Sequence, residues 1–249
     1  LTGHRAPHSG RIFIRYSDHD RETITMRQTT PLVKICGITR PEDALAFDDK
    51  VDYLGFNFWP GSKRYIDPAA AAPIIARLRH AVPVGVFVNH TADEINAIAA
   101  QTGIRWAQLH GSEGWNVLDG VALPVIKAIP HDRIEDWGGL RAEWDQHPDK
   151  QPRFFLVDTQ SGPAFGGTGA VFDWTLLGAS GEEGVTSPLP RPYFLAGGIG
   201  PHNLADAVRV AHPYAVDLNS KVETAPGIKD AGMVDAALEA LRRNMKDET

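Results

Sequence analysis

Leu32-Val-Lys-Ile-Cys-Gly-Ile-Thr-Arg-Pro-Glu-Asp-Ala-Leu-Ala-Phe-Asp-Asp-Lys-Val-Asp-Tyr-Leu-Gly-Phe-Asn-Phe58 is one strand–helix–strand unit written out in full. Leu32–Cys36 and Tyr53–Phe58 read as strands. Pro41–Lys50 between them reads as a helix, with proline in its first turn. Both strands are nearly continuous apolar runs, the pattern of a parallel sheet covered on both faces. Parallel neighbours need a crossover of this kind.

Outward from this unit the pattern recurs to the end of the chain. The helix Pro68–Ala81 follows, with Asp67 and Pro68 as N-cap and first residue. Strand Val84–Val88 precedes helix Thr91–Gln101, whose Thr91 and Glu94 form a capping box. Then come strand Trp106–Leu109 with helix Ser112–Leu118, and strand Val125–Ile129 with a helix over Ile134–Trp144 broken at Gly138-Gly139. Strand Arg153–Val157 pairs with helix Phe172–Leu177, Tyr193–Ala196 with Pro201–Val210, and Ala215–Leu218 with Lys229–Arg243. Eight such pairs predict an α/β chain folded as a single (β/α)8 TIM barrel over residues 31–249. An open doubly wound sheet fits less well, because the glycine-rich loops come late and not after the first strand. His131–Pro152 and Gly178–Pro192 read as surface insertions.

Residues 1–30 are different. They carry five Arg against three acids, which leaves −8 on residues 31–249 within a total of −6. They contain no apolar signal-peptide core, and Asp18, Asp20 and Glu22 argue against an organelle transit peptide. The expectation is a non-core N-terminal extension, disordered or reflecting a start placed upstream of Met26. Arg11–Tyr16 alternates and could pair as an edge strand.

Composition narrows the function. A net −6 argues against a chain-wide field for nucleic acid or an anionic membrane. No apolar run approaches the roughly 20 residues of a membrane-spanning helix. One cysteine allows neither an intramolecular disulfide nor a multi-cysteine metal site, and it favours a reducing, cytoplasmic compartment.

Polar residues gather where the strands end, the face on which a barrel builds its active site. Lys34, Cys36, Gly37 and Thr39 belong to unit one, and Asn57, Ser62, Lys63 and Arg64 to unit two. Unit four gives Gln108 and His110, and unit five Lys127. Unit six gives Asp158, Thr159 and Gly166–Gly169. Unit seven gives Gly197–Gly200, and unit eight Asp217, Asn219 and Ser220. The glycine loops leading into helices suit a phosphate, because bare backbone and helix N–H groups can approach an anion. They would equally serve as tight turns. Cys36 reads either as a small buried hydrophobe or as a thiolate base activated by nearby positive charge. Asp158 reads as a proton donor or as a turn residue. His110 competes with both as acid or base, or is structural.

Together these residues carry a resemblance. From about Val33 to Arg243 the chain closely resembles the phosphoribosylanthranilate isomerases, barrel enzymes of tryptophan biosynthesis. The motifs are Lys34-Ile-Cys-Gly-Ile-Thr39, Asn57-Phe-Trp-Pro-Gly-Ser-Lys-Arg-Tyr65, Val86-Phe-Val-Asn89, Gln108-Leu-His-Gly111, Val157-Asp-Thr159, Gly166-Gly-Thr-Gly169, Ala196-Gly-Gly-Ile199 and Val222-Glu-Thr-Ala-Pro-Gly-Ile-Lys-Asp230. The resemblance implies an Amadori rearrangement of N-(5-phosphoribosyl)anthranilate to 1-(2-carboxyphenylamino)-1-deoxyribulose 5-phosphate. It implies Cys36 as general base, Asp158 as general acid and Arg64 on the anthranilate. Gly167, Thr168, Gly169, Gly198, Ile199, Asn219 and Ser220 would cradle the phosphate, while Gln108, His110 and Asp217 line the mouth. It implies no metal and no organic cofactor, a small phosphorylated substrate, and a monofunctional monomer or homodimer. Lys221 stands where a small residue is common, which puts a tight positive-φ turn there in question. Two other readings are a sister barrel, such as indoleglycerol-phosphate synthase or a histidine-pathway ribosyl isomerase, and a non-catalytic ligand-binding barrel. The first would use a lysine-driven site or paired strand-end aspartates. The second would lack Cys36 or Asp158.

Overall fold

The computed structural model describes residues 30–136, 142, 146–147, 151–158, 172–177 and 192–247. Eight parallel strands close into a barrel in sequence order. They are β1 (Leu32–Ile35), β2 (Tyr53–Asn57), β3 (Val82–Phe87), β4 (Trp106–Leu109), β5 (Val125–Pro130), β6 (Phe154–Asp158), β7 (Tyr193–Leu195) and β8 (Ala215–Leu218). Closure comes from β1 against β8, in the register Leu32–Ala215 and Lys34–Asp217. The helices are α1 (Pro41–Phe47), α2 (Pro68–Ile75), α3 (Ala92–Thr102), α4 (Trp115–Gly120), α5 (Leu204–Ala211) and α6 (Ala231–Asp247). Short 3-10 turns at His131–Asp136 and Trp174–Leu176 follow β5 and β6.

Strand alternation sorts the side chains into two cores. Val33, Ile35, Leu54, Phe56, Phe87, Leu109, Val157, Leu195, Val216 and Leu218 face outward, where they are buried with helix residues such as Phe47, Ile95, Leu204 and Val234. Tyr53, Val84, Trp106, Ile126, Phe154, Phe194 and Ala215 face inward and fill the barrel. Their rings pack edge-on and tilted: Tyr53 on Phe194 at 5.3 Å, Trp106 on Phe154 at 5.5 Å, and Phe154 on Phe194 at 5.5 Å. This aromatic floor makes the barrel a plugged core rather than a pore.

Local chemistry accounts for the boundaries. Asp67 caps α2 by accepting from the Ala69 N–H at 2.8 Å, and Thr91 with Glu94 forms the expected capping box on α3. The helix expected to reach Ala81 stops at Ile75. Pro73 lies inside it without an N–H to donate, and Asp48 takes the N–H groups of Arg79, His80 and Ala81 at 2.9, 3.1 and 2.9 Å. The fourth helix starts at Trp115, not Ser112, because Ser112 donates its N–H to Asn89 and Glu113 folds back onto Gly111. The helix expected from Pro201 starts at Leu204. Asn203 bridges the Gly200 N–H and the Gly198 carbonyl, which makes the preceding residues a turn. The expected helix at Phe172–Leu177 is a single 3-10 turn capped by Asp173. The helix expected over Ile134–Trp144 is replaced at its start by the 3-10 turn from His131, and most of its remainder lies outside the described residues. The last helix begins at Ala231, since Lys229 belongs to an unanticipated hairpin of β9 (Glu223–Ala225) and β10 (Ile228–Lys229). Gly227 turns that hairpin at φ +81°, a conformation that favours glycine. The Arg11–Tyr16 strand and the insertion at 178–191 lie outside the described residues.

Candidate active site

The inward face of the barrel changes character along the strands. Above the aromatic floor stand Lys34, Gln108 and Asp217, and two residues further along the same strands stand Cys36, His110 and Asn219. β6 adds Asp158 at its last position, and β2 adds Asn57 at its own.

Lys34 is fully buried and donates to Asp217 at 2.7 Å. Burial pulls its pKa down, but the Asp217 carboxylate and the Cys36 thiol more than offset that and hold the ammonium above its ordinary value. Burial raises Asp217, with Lys34 opposing and Asp158 adding to the rise. Cys36 follows β1 and is buried. Burial holds its thiol above the ordinary value; Lys34 and Lys229 pull it down against that, and Asp217 adds to the rise. His110 meets Asp158 at 3.4 Å through Nε2, and its Nδ1 is 2.8 Å from the Gln108 amide nitrogen. Gln108 Oε1 and Asp217 Oδ1 are buried acceptors with no hydrogen bond among the described residues. Such atoms are costly in a core and ordinary where a ligand supplies donors.

A second polar group sits beside Cys36. Arg64, in the loop after β2, donates from Nε and Nη2 to Glu223 at 3.0 and 2.8 Å. Lys229 Nζ reaches the same carboxylate at 2.6 Å and the Asn219 side chain at 3.1 Å. Burial raises Glu223, but Arg64 and Lys229 hold it below its usual value; burial lowers Lys229 against the pull of Glu223. Gly37 must be glycine here. It sits at φ +77°, and a Cβ would stand 2.5 Å from Arg64 Cδ and 3.0 Å from Asn219 Oδ1.

The loops after β7 and β8 touch. A Cβ on Gly200 would lie 2.6 Å from Lys221 Cβ, and Gly197 and Gly198 both take positive φ. Asn219 leads into the 3-10 turn Ser220–Val222, and Lys221 has no positive φ, so the tight turn in question does not occur at that residue. Gly198, Ile199, Asn219 and Ser220 thus lie on adjoining loops, while Gly167, Thr168 and Gly169 lie outside the described residues.

Lys127 leans outward from β5 and binds Glu113 at 2.8 Å and the Gly111 carbonyl at 2.7 Å. Glu113 also accepts the Asn89 N–H at 2.7 Å. Both lysines that would suit a lysine-driven site are thereby held in ion pairs. Glu223, Lys229, Glu113 and Asn89 were not singled out from sequence as members of the site. Glu223 and Lys229 lie in a quoted motif, but nothing local to it announces a partner 159 residues earlier. Among the described residues no three or more His, Cys, Asp or Glu side chains are grouped to hold a metal ion.

A closed parallel barrel that brings a thiol, a carboxyl–imidazole pair and a glycine-lined rim to one mouth has the layout of a (β/α)8-barrel enzyme. The comparison with known proteins narrows that class. The family model for N-(5'-phosphoribosyl)anthranilate isomerase matches residues 33–240, and the chain belongs to that family. An N-(5'-phosphoribosyl)anthranilate isomerase of Myxococcus xanthus is 40% identical over 212 residues, covering 84% of this chain and 95% of the relative. The crystal structure of the phosphoribosyl anthranilate isomerase of Thermus thermophilus superposes with a TM-score of 0.70 at 35% identity, over 85% of this chain and 98% of that one. A phosphoribosyl anthranilate isomerase crystallised with reduced 1-(o-carboxyphenylamino)-1-deoxyribulose 5-phosphate superposes with a TM-score of 0.68 at 32% identity, over 86% of this chain and 99% of that one.

Proposed function

We propose that this chain converts N-(5-phosphoribosyl)anthranilate to 1-(2-carboxyphenylamino)-1-deoxyribulose 5-phosphate, an Amadori rearrangement in tryptophan biosynthesis. The observation that carries the reading is the convergence of Cys36 and Asp158 on one barrel mouth, within a chain that matches this isomerase family along most of its length. Asp158 gives its proton to the ribose ring oxygen, and the C1–O bond breaks to leave an iminium. Cys36, as thiolate, takes the proton from C2, and its C–H electron pair neutralises the iminium as an enolamine. Tautomerisation gives the ketone. Each step moves only a proton and neighbouring electron pairs, so general acid and base suffice.

Binding follows the same layout. Arg64 offers the anthranilate carboxylate its Nη1, which carries no hydrogen bond among the described residues. Gln108 and Asp217 hold open acceptors toward the sugar hydroxyls, and His110 orients Asp158. The phosphate takes the adjoining loops at Gly198–Ile199 and Asn219–Ser220, with Gly167–Gly169 completing the cradle. The substrate is a small phosphorylated molecule, and the reaction runs in the cytoplasm in a monomer or homodimer.

The direct assay follows the fluorescence of phosphoribosylanthranilate, made in situ from anthranilate and phosphoribosyl pyrophosphate. Decay of the signal on adding this chain is the expected result. A signal no faster to decay than the spontaneous background rejects the reading.

A further inference from the structure

Cys36 does not stand alone in its pocket. Lys34 and Cys36 are two apart on β1 and project to the same inner face of the barrel. Gly55, across the strand pair, is the common neighbour. A Cβ on it would stand 2.9 Å from the Cys36 sulfur and 3.2 Å from Lys34 Cε, so thiol and lysine stem converge on one point. The ammonium is fixed there from the other side by Asp217, its register partner on β8, at 2.7 Å. The whole assembly is out of water: Lys34 is 0% and Cys36 6% exposed.

We propose that Lys34 is the positioning residue for Cys36: its buried ammonium, anchored by Asp217, is the internal counter-ion against which the thiolate forms.

The proposal rests on the reading of Cys36 as base. A buried thiolate needs compensation, since desolvation disfavours its charge. Four charged groups bear on this site. Lys34 on β1 and Lys229 on β10 favour the thiolate, and Asp217 on β8 opposes it. Arg64 flanks Gly37 from the loop after β2, with its charge engaged by Glu223. Asp158 and His110 act one step removed, through Asp217. Lys229 already shares its charge with Glu223 and Asn219. Lys34 has a single carboxylate partner, and its stem and the Cys36 sulfur converge on Gly55. Two roles separate within the triad: Asp217 holds Lys34 charged and aimed, and Lys34 makes Cys36 a usable base.

The single cysteine makes the test specific, because thiolate absorbance in this chain reports Cys36 alone. The comparison is Asp217→Asn against Lys34→Met/Asp217→Asn, which differ only at residue 34 and leave no unpaired buried carboxylate. With Lys34 present, Cys36 titrates at lower pH, by one unit or more, so that at a pH below both midpoints the thiolate fraction is about tenfold larger. Coincident titrations of the two folded variants overturn the proposal. If the double variant does not fold, the wild type serves. In a lysine-labelled sample the Lys34 Cε resonance moves in step with the thiolate absorbance, and that step is missing in Cys36→Ser. A Lys34 resonance that ignores thiolate formation overturns the proposal equally. The acidic limb of the kcat/KM profile tests the underlying reading separately. If the thiol midpoint differs between variants that retain activity but that limb does not follow it, Lys34 keeps its role toward the thiol and Cys36 loses its role as base.

Discussion

Asp158 closes β6 at 3.4 Å from His110, and under the proposed reaction the carboxyl would supply the proton and the imidazole would orient it. Asp158→Asn keeps the shape and removes the proton. Its turnover should fall about 10²- to 10⁴-fold, while affinity for the reduced product analogue changes little. An Asn variant that opens the ribose ring at the normal rate would remove Asp158 from the mechanism. Arg64 calls for a different split. With Nε and Nη2 engaged by Glu223, it has one nitrogen to offer the substrate. Arg64→Ala should lose a charge-assisted contact of about 1.5–3 kcal/mol, about 10- to 150-fold in kcat/KM and mostly in KM. Inhibition by inorganic phosphate, which engages the far end, should be unchanged. Phosphate inhibition weakened as strongly as substrate use would reverse the orientation of the ligand. The places of Cys36 and Asp158 at the barrel mouth were legible in the sequence because each ends an apolar run. The engagement of Arg64 was not, because Glu223 becomes its neighbour only when the loop after β8 folds across the loop after β2.

Elements that carry their own signals were readable, and those that depend on distant partners were not. Asp67-Pro68 and the Thr91–Glu94 box announce helix starts through bonds made within four residues. The end of α2 is set instead by Asp48, which follows α1 and gathers three backbone N–H groups some 31 to 33 residues on. Those bonds, and the charge of His80, depress the Asp48 pKa against the opposing effect of its burial. A carboxylate whose pKa is lower folded than unfolded binds its proton more readily in the unfolded chain. Its stabilisation is therefore complete above the unfolded value of about 3.9 and is lost as pH falls toward the folded value. Asp48→Asn should destabilise the chain at pH 7, and its melting temperature should converge with that of the wild type below about pH 4. A gap that stays constant down to acid pH would show that the three N–H bonds, not the charge they bind, carry the effect. The β9–β10 hairpin was illegible for the same reason as the end of α2. Its strands are three and two residues long, and Lys229 is held by Asp43 through its N–H and by Glu223 through its side chain.

The barrel is a tube filled at one end by aromatic rings and polar at the other, and that gradient is how one chain serves both stability and chemistry. Burying Phe154 and Phe194 in the floor contributes about 1.5–3 kcal/mol each. The floor also excludes water from beneath Lys34 and Cys36. The eight-fold strand count and the class of fold were legible because parallel strands buried on both faces leave long apolar runs. The inward order of residues along each strand was not, because alternation fixes it only once the register with both neighbours is known. Closure is complete between Leu32 and Leu218. Removing residues 1–25 should therefore leave activity unchanged and shift the melting temperature by less than about 4 °C, on the order of 1 kcal/mol for a chain of this size. A larger drop would show that the N-terminal extension packs on the barrel. A role for the thiol at the end of β1 as the base is tested most directly by a paired measurement on Cys36→Ser: single-turnover rate with in situ substrate, and dissociation constant for reduced 1-(o-carboxyphenylamino)-1-deoxyribulose 5-phosphate. The dissociation constant should be unchanged and the rate lower by about 10²-fold or more, since an alcohol is a far weaker base than a thiolate; a serine variant that binds equally and turns over at the wild-type rate would remove Cys36 as the base.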